Sequence, residues 1–138
     1  MRQQCHILIV DDDPDDLHLM KRAFEKAGDV NGQPTFIETA KNGLEAISIL
    51  GVMDTLDDLP DVVMLDLNMP IMDGMDFLKA LPAALHNVSY KTIVVTTSVE
   101  RQIHENALGA GANAIFVKPD SQAEVFKLAA DVLHNFDV

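Results

Sequence analysis

The chain has 138 residues, 48% of them apolar, with ten Lys and Arg against 22 Asp and Glu and a formal charge of −12 at pH 7. This length supports one domain with a full core and not two ordinary ones, the apolar content excludes a disordered chain, and the acidity argues against gripping nucleic acid or an anionic membrane. The single cysteine, Cys5, allows no intramolecular disulfide and fits a reducing, cytoplasmic location. No apolar run reaches 18 residues and no long apolar region opens the chain, so a soluble, unprocessed protein is expected.

Ile7 to Val10 reads as a first strand, followed at once by Asp11, Asp12, Asp13, Asp15 and Asp16. Pro14 suits the first turn of a helix, where its missing N–H costs nothing, and aspartates suit the positive helix end. Leu17, Met20, Phe24 and Ala27 give that helix an apolar face, and Gly28 is expected to end it. Thr35 to Thr39 reads as a second strand, Asn42-Gly43 as a turn, and Leu44, Ile47 and Leu50 as a second helix. Asp54 to Pro60 reads as an acidic surface loop. Val62 to Leu65 is a third, fully buried strand with Asp66 at its carboxyl end, and Pro70 and Gly74 punctuate the loop beyond.

Phe77, Leu78 and Leu81 suggest a third helix that Pro82 should end or kink, with irregular structure up to Tyr90. Thr92 to Thr96 is a fourth strand. Val99, Ile103 and Ala107 are expected to line a fourth helix ending near Gly109 or Gly111, and Ala114 to Val117 is a fifth strand closed by Lys118-Pro119. Val125, Leu128, Ala129, Val132, Leu133 and Phe136 fall at helical spacing, and Ser121 with Glu124 resembles a capping box. Five alternations predict an α/β fold: a doubly wound, five-stranded parallel sheet with five helices on its two faces. Residues 1–138 are expected to form a single domain, with nothing left after the fifth helix for an output domain.

Polar clusters follow four of the strands: Asp11 and Asp12, Asp66, Thr96 and Lys118. Each lies at a strand's carboxyl end, the edge where open α/β sheets place ligands and chemistry. Singly, each has a plain structural reading: a solvated helix start, a strand-end cap, a hydroxyl bonded to backbone, a surface lysine. Together they are complementary. Three carboxylates in one pocket need a cation, and their oxygens suit a hard ion such as Mg²⁺. A phosphoryl group on Asp66 would meet the metal, the Lys118 ammonium and the Thr96 hydroxyl as positioned donors. Asp13, Asp15 and Asp16 read as surface. The histidines His6, His18, His86, His104 and His134 show no ligand spacing, and the methionines read as core or loop filling. An EF-hand loop is excluded, since Asp16 stands where it needs glycine and Arg22 where it needs glutamate.

In order, strand context and spacing these residues resemble the receiver domain of two-component response regulators, over about Ile7 to Phe136. The resemblance implies a flavodoxin-like sheet in strand order 2-1-3-4-5. It makes Asp11 and Asp12 the acidic pair, Asp66 the phosphoacceptor and Asn68 the metal ligand through its backbone carbonyl. It also makes Lys118, in its Lys-Pro dipeptide, the family's lysine and Thr96 the switch hydroxyl, thirty residues past Asp66, with Thr97 as the alternative. It implies Mg²⁺, a sensor histidine kinase as phosphodonor, and a downstream protein target or phosphorelay partner. The surface of the fourth helix, fifth strand and fifth helix would be the contact face and could form a homodimer. The Leu65–Pro70 run and Thr96-Thr97-Ser98 resemble stand-alone receivers associated with bacterial phytochromes. The chain departs from the family at Ile115, where many receivers carry an inward-turning aromatic; Phe116, its neighbour, faces the opposite side of the strand and cannot substitute.

The residues leave two other classes open. Asp11 and Asp13 mimic the D-x-D start of haloacid-dehalogenase phosphatases, although the chain has no cap insertion for substrate. A binding module independent of phosphorylation is the third.

Overall fold

The computed structural model describes residues 4–69, 71–84 and 90–135. Strands and helices alternate as β1 (Cys5–Val10), α1 (Pro14–Asn31), β2 (Thr35–Ala40), α2 (Gly43–Thr55), β3 (Val62–Asp66), α3 (Gly74–Ala84), β4 (Lys91–Thr96), α4 (Arg101–Gly109), β5 (Ala114–Val117) and α5 (Gln122–Asn135). The five strands form one parallel sheet in the order β2-β1-β3-β4-β5, as expected. Every residue of β3 is buried, because strands and helices cover it on all sides.

Alternation along the strands splits the core in two. Leu8, Val63, Leu65 and Val94 pack with Leu50 of α2, Phe77 of α3 and Ala107 of α4. Ile7, Ile9, Met64 and Val95 pack with Phe24 of α1 and Val132 of α5. The period of two along each strand requires this division. Ile115 joins the first cluster and Phe116 the second, so the two neighbours do face opposite sides.

Several boundaries differ from the expectations. Gly28 does not end α1; the helix runs on to Asn31 and closes in a Schellman motif at Gly32, whose φ is 69°. Gln33 N–H donates to the Gly28 carbonyl at 2.8 Å and Gly32 N–H to that of Asp29 at 3.2 Å. Gly28 serves packing instead: a Cβ there would lie 2.5 Å from the Gln33 carbonyl oxygen. Asn42 is a helix cap, not a turn residue, and its side chain accepts from Glu45 N–H at 2.8 Å. The buried face of α2 is Gly43, Ala46 and Leu50, while Leu44 is exposed.

The acidic stretch after α2 is exposed only as far as Asp58; Leu59 packs on the core and Pro60 is buried. The backbone of α3 stays helical past Pro82 to Ala84. Proline there removes one hydrogen bond near the end of the helix, where few bonds remain to be lost. Residues 85–89, where irregular structure was expected, lie outside the described residues, as do Pro70 and Phe136. Val99 precedes α4 and is exposed, so Ile103 and Ala107 alone carry the expected face. Ser121 provides one half of the capping box, accepting from Glu124 N–H at 3.2 Å. Among the described residues no helix is long and apolar enough to cross a membrane.

Candidate functional site

Strand register builds the site. Val10 of β1 lies opposite Leu65 of β3, so Asp11 and Asp66 leave the sheet side by side. Asp12 follows, and carboxylate oxygens of Asp11, Asp12 and Asp66 all lie within 4.8 Å of one another. Asp11 and Asp66 are buried and Asp12 is exposed, so the group opens to solvent on one side. Oxygen donors so clustered fit a hard divalent cation such as Mg²⁺.

Lys118 completes the centre from the far edge of the sheet. Its backbone N–H donates to the Thr96 carbonyl at 2.7 Å, which anchors the residue beside β4. Its Nζ lies 2.9 Å from Asp11 Oδ2, 2.7 Å from Asp16 Oδ2 and 3.7 Å from Asp66 Oδ2. Burial alone would lower the lysine's pKa, but the bonds to Asp16 and Asp11 hold it above its ordinary value and keep it charged. Burial pushes Asp66 up to about 6, Asp11 adds to the rise, and Lys118 and the Asn68 N–H oppose it. Asp11 is raised too, first by burial, against its bonds from Asp13 N–H and Lys118.

The loop after β3 wraps the Asp66 carboxylate. Asn68 N–H lies 3.3 Å from Asp66 Oδ1. Gly74 N–H donates to the Leu67 carbonyl at 2.9 Å, bringing the start of α3 hard against the end of β3. A Cβ on Gly74 would stand 2.6 Å from Leu67 Cα and 2.7 Å from the Asp66 carbonyl oxygen, so glycine alone fits. Thr96 is buried at the end of β4, with its hydroxyl accepting from Ser98 N–H at 3.2 Å, while Thr97 is exposed. Among the described residues no histidine joins the acidic group; His104 Nε2 pairs with the Ser98 carbonyl at 2.8 Å instead.

Asp16 corrects the expectation that it belongs with the surface aspartates. Asp13 does cap α1, accepting from Asp15 N–H at 2.9 Å, and both are exposed. Asp16, however, pairs directly with Lys118. The signal was present in the sequence: the buried stripe Met20, Ala23, Phe24 and Ala27, extended back by one helical turn, lands on Asp16.

The response regulator receiver domain family model matches residues 7–130. The chain belongs to that family. The receiver is 32% identical over 119 residues to the transcriptional regulatory protein PrrA of Mycobacterium tuberculosis, covering 86% of this chain and 46% of that protein. It is 34% identical over 113 residues to sporulation initiation phosphotransferase F of Bacillus subtilis, covering 82% and 81%. The chain thus spans about half the length of PrrA and most of the phosphotransferase. Among solved structures, the phosphorylated cyanobacterial phytochrome response regulator RcpA superposes with a TM-score of 0.82 at 20% identity, covering 96% of this chain and 94% of that one. The family match disfavours the haloacid-dehalogenase reading, and Asp13, the second acid of its motif, is a helix cap.

The raised Asp66 has a measurable consequence in the metal-free receiver. Its folded pKa is about 6 against a reference of 3.8, so the ionised carboxylate opposes folding at neutral pH. That opposition is complete above about 6 and disappears below 3.8, where the group is protonated folded or unfolded. Asp66→Asn should therefore stabilise the protein by about 3 kcal/mol at pH 7 in EDTA, a gain that vanishes by about pH 4. Urea unfolding across that range measures it; a gain independent of pH would show that burial of charge is not its cause.

Proposed function

We propose that this receiver accepts a phosphoryl group from the phosphohistidine of a sensor histidine kinase onto Asp66 and thereby changes its protein-binding face. The reading rests on one observation: a buried carboxylate at a strand end, two further carboxylates within 4.8 Å, and a lysine ammonium 3.7 Å away. In the transfer, an Asp66 oxygen attacks phosphorus, the P–N bond to the donor imidazole breaks, and the imidazole leaves. Lys118 donates to a phosphoryl oxygen and offsets the charge that develops there. Asp11, Asp12, Asp66 and the Asn68 carbonyl would hold Mg²⁺, which when bound neutralises further phosphoryl charge. In a separate step water attacks phosphorus, the bond from phosphorus to the Asp66 oxygen breaks, inorganic phosphate leaves and the carboxylate is restored. The domain would thus catalyse its own phosphorylation and dephosphorylation and turn over no other substrate.

Thr96 carries the switch in this reading. Its hydroxyl, which accepts from the Ser98 N–H, donates its proton to a phosphoryl oxygen, and the α4–β5–α5 face repacks around Ile115, which already lies in the core cluster with Ala107 and Ile103. That face is where a downstream protein, a relay partner or a second copy would bind. Phosphorylation need only shift an existing equilibrium between two arrangements. The shape likeness to RcpA and the Leu65–Pro70 run support a light-sensing kinase of phytochrome type as donor.

Incubation with Mg²⁺ and acetyl phosphate, followed by mass analysis of peptides, tests the reading. One base-labile adduct is expected, on the peptide holding Asp66 and absent from Asp66→Asn. An adduct that survives this substitution, or none at all, would refute it.

A further inference from the structure

We propose that Asp16 is a positioning residue that holds the Lys118 ammonium on the α1 side of the site while Asp66 is unmodified. The proposal rests on the phosphoacceptor reading above. An ammonium has three donors. Two are engaged at short range, with Asp16 at 2.7 Å and Asp11 at 2.9 Å, whereas Asp66 at 3.7 Å lies beyond hydrogen-bond distance. Lys118 is thus drawn towards α1 and away from the acid it is to serve.

The two acids that hold it are not equivalent. Asp11 belongs to the three-carboxylate group, and its Oδ1 also accepts from Asp13 N–H at 3.0 Å. A divalent cation would compete with Lys118 for Asp11. Asp16 lies outside that group, on the first turn of α1, so a cation held by the group would not compete for it. A phosphoryl group on Asp66 needs charge-assisted contact with the ammonium. To make it, Nζ must move from α1 towards Asp66, which stretches the Asp16 pair, so Asp16 favours the unmodified state.

Removing the pair should therefore tighten the activated state, the opposite of what a simple structural defect would do. The measurement is the affinity for beryllofluoride, a phosphoryl mimic, in saturating Mg²⁺. Asp16→Asn should bind about fivefold more tightly than the wild type, a typical effect for loss of a competing charge-assisted bond. Asp15→Asn removes the same charge from the same helical turn without touching Lys118, and should stay within about twofold. In a Lys118→Met background Asp16→Asn should have no effect, because the acid acts only through the lysine. Equal or weaker binding by Asp16→Asn, an equal gain in Asp15→Asn, or a gain that persists without Lys118 would overturn the proposal. If the wild type binds no beryllofluoride, the phosphoacceptor reading fails with it. Binding by the wild type with no gain in Asp16→Asn would sink the positioning role alone.

Discussion

Lys118→Met is expected to lose at least about a hundredfold in phosphorylation rate with acetyl phosphate and Mg²⁺, the scale set by removing one preorganised donor from developing charge. The side chain is only 19% exposed and meets Asp11, Asp16 and Asp66. Methionine keeps much of the stem's volume and removes the charge. Three carboxylates then face one another uncompensated, so the metal-free variant should also lose about 2 kcal/mol of stability at pH 7. The sign of its pH dependence follows from the acids. The folded pKa values of Asp11 and Asp66, already raised, rise further without the ammonium, and protonation relieves the repulsion. The Asp66 share of the deficit should therefore shrink as pH falls towards about 6, and Mg²⁺ should partly restore stability at pH 7. Phosphorylation at the wild-type rate would remove Lys118 from the chemistry.

Gly74→Ala should cost about 3 kcal/mol, the upper range for a forced backbone shift in a packed site. The atoms that a Cβ would strike are Leu67 Cα at 2.6 Å and the Asp66 carbonyl oxygen at 2.7 Å, and neither can rotate away. Separation of α3 from the end of β3 would displace Asp66 and Asn68 together. Mg²⁺ affinity should then fall along with stability, with urea unfolding and metal titration reading the two effects. Gly51→Ala is the control: it lies on α2 with nothing within 4 Å of the added Cβ, and should gain about 0.5–1 kcal/mol. Loss at Gly51, or none at Gly74, would show that backbone crowding is not what fixes the glycine.

Helix ends were read less well than helix faces, and Gly28 and Asn42 show why. A glycine near the end of an apolar pattern reads as a stop, yet Gly28 is needed where the chain folds back against its own helix, and Gly32 closes α1. Asn42-Gly43 reads as a turn, yet the same Asn side chain that favours turns also caps helices. Both choices depend on what packs alongside, which a local window does not contain. Pro82 is a similar case: the cost of a helical proline is local, but how many hydrogen bonds lie beyond it is set by where α3 ends.

The strands, their buried character and the acids at their carboxyl ends were determined by the sequence alone, because a period of two, a period of 3.6 and the placement of charge after an apolar run are local properties. Val62 to Leu65 needed nothing else to be read as a buried strand with an acid at its end. What the tertiary structure decided was which side chains meet. The Val10–Leu65 register brings Asp11 beside Asp66, and the crossovers carry Lys118 back over the sheet edge to both. The same packing turned Asp16 from one of several helix-end acids into the closest partner of that lysine. Spacing along a chain does not contain that distance; it exists only once α1 and β5 have docked on the same sheet.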